Sequence, residues 1–249
     1  MSIAEKLTTI AENEQKVYKS GEDNGIDMMW EAITDDGKTE SYYERFYNWK
    51  ISKRLFESSR VVQPTSITTR MFYNAHKGDS DEVIDLGQIE NEQGMVFDFS
   101  KATSLQHTFN GAEIDVVNII DARNASGTNA LYWTFSGVLA SGQSFGHPLV
   151  KRINKFIVGE KTDRFFGTFY YASDLEHCVF EGEISKSGLE LQYSLKLDHE
   201  SLMSALNCLK DYSNDTSGTT WTVRFGATNL AKLTAEEKAI AAQKGWNLT

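Results

Sequence analysis

The side chains able to do acid–base, metal or thiol chemistry are thinly spread along this chain. Five histidines, His76, His107, His147, His177 and His199, stand singly. Zinc sites legible in sequence pair His or Cys ligands a few residues apart, as in HExxH, HxH or CxxC. None of those spacings occurs here, so neither a metal nor an organic cofactor is expected. Asp79, Asp81 and Glu82 in GDSDEV resemble a fragment of a calcium loop without EF-hand ligand spacing, and read as a solvated loop. Carboxylate pairs for glycoside hydrolysis exist at Asp174 with Glu176 and at Glu181 with Glu183. In a strand, residues i and i+2 share a face about 7 Å apart, within reach of a two-carboxylate mechanism. Nothing nearby in sequence would raise one pKa above the other, so both pairs read as solvated. GQSFG within ASGQSFG has the letters of GxSxG, but the stretch lacks the following helix that a nucleophile elbow needs, and it lacks the lysine of a nucleotide loop. Cys178 in HCVF and Cys208 in ALNCLK sit in apolar stretches and read as buried free thiols. The expectation is a noncatalytic protein.

Charge narrows the partners. With 25 basic and 35 acidic residues among 249, the formal net charge is -10. Such a surface repels phosphate backbones and anionic lipid, which argues against nucleic acid. No apolar run approaches the roughly 20 residues that span a bilayer, so no membrane insertion is expected. The opening MSIAEKLTTIAENEQ mixes charges with isolated Ile and Leu instead of forming a signal-peptide core, and synthesis in the cytosol is the expectation.

Three kinds of element must hold these side chains. Ile3, Leu7, Ile10 and Val17 fall at heptad spacing in SIAEKLTTIAENEQKVY, a helix with a narrow apolar seam that another surface must cover. A dense aromatic group follows, from Met28, Met29 and Trp30 to Tyr47, Trp49 and Phe56, and reads as the core of a small helical module more readily than as a sugar-stacking platform. From about Val61 a phrase repeats. Phe72 in RMFYNA, Phe109 in HTFNGA, Phe135 in WTFSGV and Phe169 in GTFYYA recur roughly 25 to 40 residues apart, the size of a repeat unit. Strand-like runs follow at Val116 to Ile120, Ile153 to Val158 and Cys178 to Phe180. Each unit is a turn burying one aromatic plus a short strand, and only stacked neighbours can cover it.

The chain's end has another style. LELQYSLKL alternates as a strand, and DHESLMSALNCLKDY reads as a helix with Asp198 as N-cap and Leu202, Ala205, Leu206 and Leu209 on one face. TTWTVRF reads as a strand, and LTAEEKAIAAQKGW carries a capping box, Thr234 with Glu237, and a terminating Gly245. The expected organisation is α+β: a helical assembly module over 1–60, an irregular repeat stack over 61–195 and an α+β cap over 196–249.

At SIAEKLTTIAENEQKVY, TFYYASDLEHCVFEGEI and NLAKLTAEEKAIAAQKGW the chain resembles leucine-rich-repeat-like proteins encoded by tailed bacteriophages and prophages of gut Firmicutes. Its repeat is similar to the BspA-like class of leucine-rich repeat, from which it departs in irregular spacing and few consensus leucines. The resemblance implies a virion structural protein of the tail, baseplate or fibre, made in the host cytoplasm and engaged in host-surface attachment. It offers no catalytic residues to transfer. It also implies that the opening motif serves attachment or oligomerisation, so Ile3, Leu7, Ile10 and Val17 are expected to carry assembly with copies of the chain, as a trimer, or with other virion proteins. Host-surface glycan or protein would be the outward partner. The alternatives are a carbohydrate-binding or glycan-degrading virion protein and a bacterial cell-surface adhesin.

Overall fold

Four short segments share one backbone plan, built around Phe72, Phe109, Phe135 and Phe169. Two residues before each phenylalanine the chain takes a left-handed conformation, at Arg70 (φ 57°), His107 (55°), Trp133 (55°) and Gly167 (67°). Such a φ costs an L-residue about 1–2 kcal/mol and persists where surroundings over-determine it. Here the surroundings are the neighbouring segments. The N–H of Phe72 donates to Thr108 O, that of Phe109 to Thr134 O and that of Phe135 to Thr168 O, each at 2.8 Å. Flanking bonds repeat the pattern, with His107 N donating to Tyr132 O and Gly137 N to Tyr170 O. Threonine hydroxyls run the other way: Thr108 Oγ1 donates to Thr68 O at 2.9 Å, Thr134 Oγ1 to Leu105 O at 2.9 Å and Thr168 Oγ1 to Leu131 O at 3.0 Å. The four turns form the rungs of a hydrogen-bonded ladder.

This is a computed structural model that describes residues 47–48, 50–51, 68–77, 83–86, 98–138, 141–145, 149–162 and 165–249. Its mixed α and β content has short parallel strands and few helices. The four rings are buried and lie face to face, with centroids 5.3 Å apart for Phe72 and Phe109, 5.2 Å for Phe109 and Phe135 and 5.8 Å for Phe135 and Phe169. Successive rungs feed strands β1 (Lys50–Ile51) with β2 (His76–Lys77), then β3 (Val116–Asp121), β4 (Arg152–Val158) and β5 (His177–Gly182). β1 pairs with β2, and β3, β4 and β5 form a three-stranded sheet in that order, every pairing parallel. Ile153, Phe156 and Val158 of β4 turn inward, and Phe156 meets the Phe135, Phe169 and Phe180 rings at 5.6 to 6.2 Å, so ladder and sheet share one core.

The ladder starts earlier than the sequence expectation of residue 61. Asn48 N donates to Tyr73 O, Tyr47 stacks on Tyr73 at 5.1 Å, and β1 follows in register with β2. The remainder of the expected helical module, including Ile3, Leu7, Ile10, Val17 and the aromatic group before Tyr47, lies outside the described residues, as do Asp79, Asp81, Glu82 and His147.

Beyond β5 the edge of the sheet is sealed by a helix, α1 (His199–Cys208). Its Ser201 and Ser204 hydroxyls accept the N–H groups of Cys178 at 2.7 Å and Phe180 at 3.0 Å, while Leu202, Ala205 and Leu206 are buried. An open parallel edge is an invitation to further pairing, and serine hydroxyls close this one. Asp198 caps α1 by accepting from Ser201 N. Then come β6 (Trp221–Val223), α2 (Gly226–Leu230), α3 (Ala235–Gln243) and β7 (Trp246–Leu248), with β6 and β7 paired in parallel. The capping box of Thr234 and Glu237 forms at the start of α3, and Gly245 takes φ 78° just past its end.

LELQYSLKL corrects the sequence reading. It is not a strand: it folds as successive turns, Ser194 N donating to Leu191 O and Leu197 N to Ser194 O, with one isolated bridge from Glu190 to Arg224. Alternation misled because the turns also bury Leu189, Leu191 and Leu197 while exposing Leu195. The buried amide of Asn229, from α2, donates to Leu191 O and Ser194 O and so satisfies carbonyls that a sheet would have paired.

Candidate functional site

The same turns that bury one ring per rung carry others at the solvent edge. Residues two and three before the buried phenylalanine are mostly half-buried or exposed, as is the residue after it at Tyr73 and Tyr170, and many of these are aromatic. Tyr132 lies parallel to Phe166 at 5.9 Å, one rung apart. Trp133 lies over Gly167, where a Cβ would sit 2.6 Å from the indole, and reaches Tyr170 at 6.0 Å. Tyr170 and Tyr171 pack on Tyr193 at 4.8 and 4.6 Å. Toward the other end, His107 bridges Tyr73 and Trp133, and Tyr73 continues the row to Tyr47. Phe166 is 56% exposed and Tyr171 45%, so rings of this row present faces to solvent.

Two features shape the row. From the insertion between Phe135 and β4, Phe145 folds back over Gly111, where a Cβ would fall 2.5 Å from its ring, and meets Tyr73 edge-on at 5.8 Å. Gly111 is also left-handed, at φ 68°, so both the close approach and the backbone favour glycine there. His107 is held neutral: burial, then the nearby Arg70 guanidinium, push its pKa down to about 4. Its Nδ1 accepts from Asn110 Nδ2 at 2.9 Å, which requires an unprotonated Nδ1.

A charged clasp holds the strands beneath. Asp115, almost buried, accepts from Lys77 Nζ at 2.6 Å, Lys151 Nζ at 2.9 Å and Ile84 N at 3.0 Å. Burial pushes its pKa up, but the hydrogen bonds from Lys77, Lys151 and Ile84 outweigh it and hold the carboxyl below its ordinary range. Sequence reasoning passed over Asp115 because its partners lie far off in the chain.

The residues weighed for catalysis are otherwise engaged. Glu181 pairs with Lys155 and Glu183 with Lys210, each at 3.0 Å, while Asp174 pairs with Lys196 at 2.8 Å and accepts from Leu149 N. His177, read in sequence as isolated, meets Asp198 through Nδ1 at 2.6 Å, and these two with Glu200 bring ligand atoms within 4.8 Å of one another. Asp198 is already the N-cap of α1, so this cluster serves the helix start. Cys178 is fully buried, with its thiol pKa raised well above the usual value by that burial, and burial lifts Cys208 to about 11. Neither supplies a thiolate at neutral pH. Among the described residues no helix is long and apolar enough to cross a membrane.

Comparisons with known proteins find no matching family model, no similar curated protein and no similar solved structure.

Proposed function

We propose that this chain is a noncatalytic structural protein of a bacteriophage particle, a component of the tail, baseplate or fibre that takes part in attachment to the host surface. On this reading the rungs are an irregular leucine-rich-repeat-like stack, and the N-terminal segment with Ile3, Leu7, Ile10 and Val17 joins the chain to copies of itself, as a trimer, or to other virion proteins. The observation that carries the reading is the row of rings from Tyr47 to Tyr193 along one edge of the ladder. Aromatic side chains give large contact area with a polar handle and little rotamer entropy to lose, which suits a binding surface. A rigid, repeating scaffold presenting such a row is suited to an extended partner.

Electron cryomicroscopy of intact particles tests the role: density for the ladder on the tail, baseplate or fibre is expected, and a chain found only free in infected cells would overturn it. Light scattering tests the assembly claim, since a full-length protein that is monomeric would leave only docking to another virion protein. The row also favours a second reading, that of a carbohydrate-binding virion protein, because ring faces pack well on the apolar faces of sugars.

A further inference from the structure

Where the aromatic row meets the cap, Phe166 forms one wall of a cavity of about 320 Å³ whose other walls are Ser187, Gly188, Thr220, Thr222 and Arg224. We propose that this cavity is a saccharide subsite, taking one or two rings of a neutral oligosaccharide, with the row of rings carrying the rest of the chain. The proposal rests on the carbohydrate-binding reading of the row and gives it a location.

The lining matches a sugar's two kinds of surface. A pyranose has an apolar C–H face and a rim of hydroxyls. Phe166 offers an aromatic face that is 56% exposed, and it is held from behind by stacking on Tyr132. Across from it are three side-chain hydroxyls, each able to donate and accept. Ser187 Oγ accepts from Thr222 N at 3.0 Å, which fixes its position and leaves its own proton to donate. Gly188, at φ 109°, adds no side chain to the cavity.

Arg224 sets the charge preference. One of its terminal nitrogens is bound to the buried Glu190 carboxylate, so the guanidinium is held in place and its charge is matched, while its remaining N–H groups can address ligand oxygens. The pair contributes no net charge, and the whole chain is strongly acidic. A polyanionic ligand therefore finds nothing here to neutralise it, whereas a neutral one does not need it. The volume falls at the small end of ligand cavities, which run from about 300 to 1,000 Å³, and suits one or two sugar rings better than a folded peptide epitope.

The test is an array of neutral and acidic oligosaccharides probed with the full-length protein, followed by calorimetry on the best neutral binder. The wild type should retain at least one neutral oligosaccharide. Phe166→Ala should weaken that binding by about tenfold, the scale of one lost aromatic contact, with an unchanged melting temperature because the side chain is largely exposed. Thr220→Ala should weaken it by a smaller factor. Retention of no neutral oligosaccharide, preference for acidic ones, or a Phe166→Ala affinity equal to wild type would each overturn the subsite. These failures are distinguishable from failure of the virion role. A chain located in the particle with no Phe166-dependent sugar binding keeps its structural role and loses the subsite, and sugar binding by a chain absent from particles does the reverse.

Discussion

In the ladder, Thr134 Oγ1 reaches back to Leu105 O, 29 residues earlier, whereas in the cap Thr234 Oγ1 accepts from Glu237 N only three residues on. That contrast runs through both regions. A rung is a left-handed turn in which alternate N–H groups, the threonine hydroxyl and the buried ring find partners in the rung above or below. The cap contains helices α1 and α3, whose N-termini are closed by their own sequence, at Asp198 with Ser201 and Thr234 with Glu237. A rung without neighbours has little reason to fold, while a capped helix has some. Removing a piece of the ladder should therefore propagate, and removing a piece of the cap should stay local.

The largest effect belongs to the middle of the ladder. Phe135, whose ring meets Phe109, Phe156 and Phe169, should lose about 3–5 kcal/mol of stability on truncation to alanine. Urea unfolding measures it, and a loss below about 1 kcal/mol would break the comparison. Next is Thr134→Val, which keeps the shape and deletes a buried hydroxyl shared between Leu105 O and Leu131 O at 2.9 Å each. The expected cost is about 1 kcal/mol, the net worth of one buried hydrogen bond, because Leu105 O keeps Thr108 N and Leu131 O keeps Thr134 N and Thr168 Oγ1. Thr234→Ala in the cap should cost about 0.5–2 kcal/mol. Amide exchange sharpens the contrast: the cap variant should speed exchange in α3 and leave the Phe109 and Phe135 amides unchanged.

These two regions were also unequally legible. In the cap the signals are local, so Asp198, the Leu202–Leu206 face of α1 and the Thr234–Glu237 box could be read directly from spacing. In the ladder the TF phrase marks the rungs at Phe109, Phe135 and Phe169, but nothing in sequence says that Arg70, His107 and Trp133 adopt positive φ, because none is glycine and the strain is compensated only by rungs some 30 residues away. Leu189 to Leu197 failed for the complementary reason: leucines at 189, 191, 195 and 197 imitate period-two alternation, while the turns bury every third residue, Leu191, Ser194 and Leu197, and leave Leu195 exposed. The row of surface rings was hidden because its members come from different positions in each rung, Tyr132 and Phe166 three before the buried phenylalanine and Trp133 two before. The Asp115 clasp could not be read because Lys77 and Lys151 each lie 36 or more residues from it.

A further expected effect is one of pH, and it belongs to the ladder. The folded-state pKa of His107, about 4, lies below its unfolded value near 6.5. Between those values the unfolded chain binds the extra proton, so stability falls as pH drops from 6.5 toward 4 and the penalty is complete below that. Asparagine tolerates the left-handed backbone and does not titrate, so His107→Asn should flatten this part of the stability profile. Urea midpoints at pH 7 and pH 4.5 measure it, and equal slopes in the variant and the wild type would remove His107 from the account.

The central claim is that the four phenylalanines act as one stack, and a double-mutant cycle tests it most directly. Leucine at Phe109 and Phe135 deletes ring stacking while keeping most of the buried volume, and the same pair of substitutions at Phe72 and Phe169, three rungs apart, serves as the reference. The ladder predicts a coupling of about 0.5–1.5 kcal/mol between Phe109 and Phe135, and additivity within about 0.3–0.5 kcal/mol for Phe72 and Phe169. Additive effects at Phe109 and Phe135 would contradict the stack.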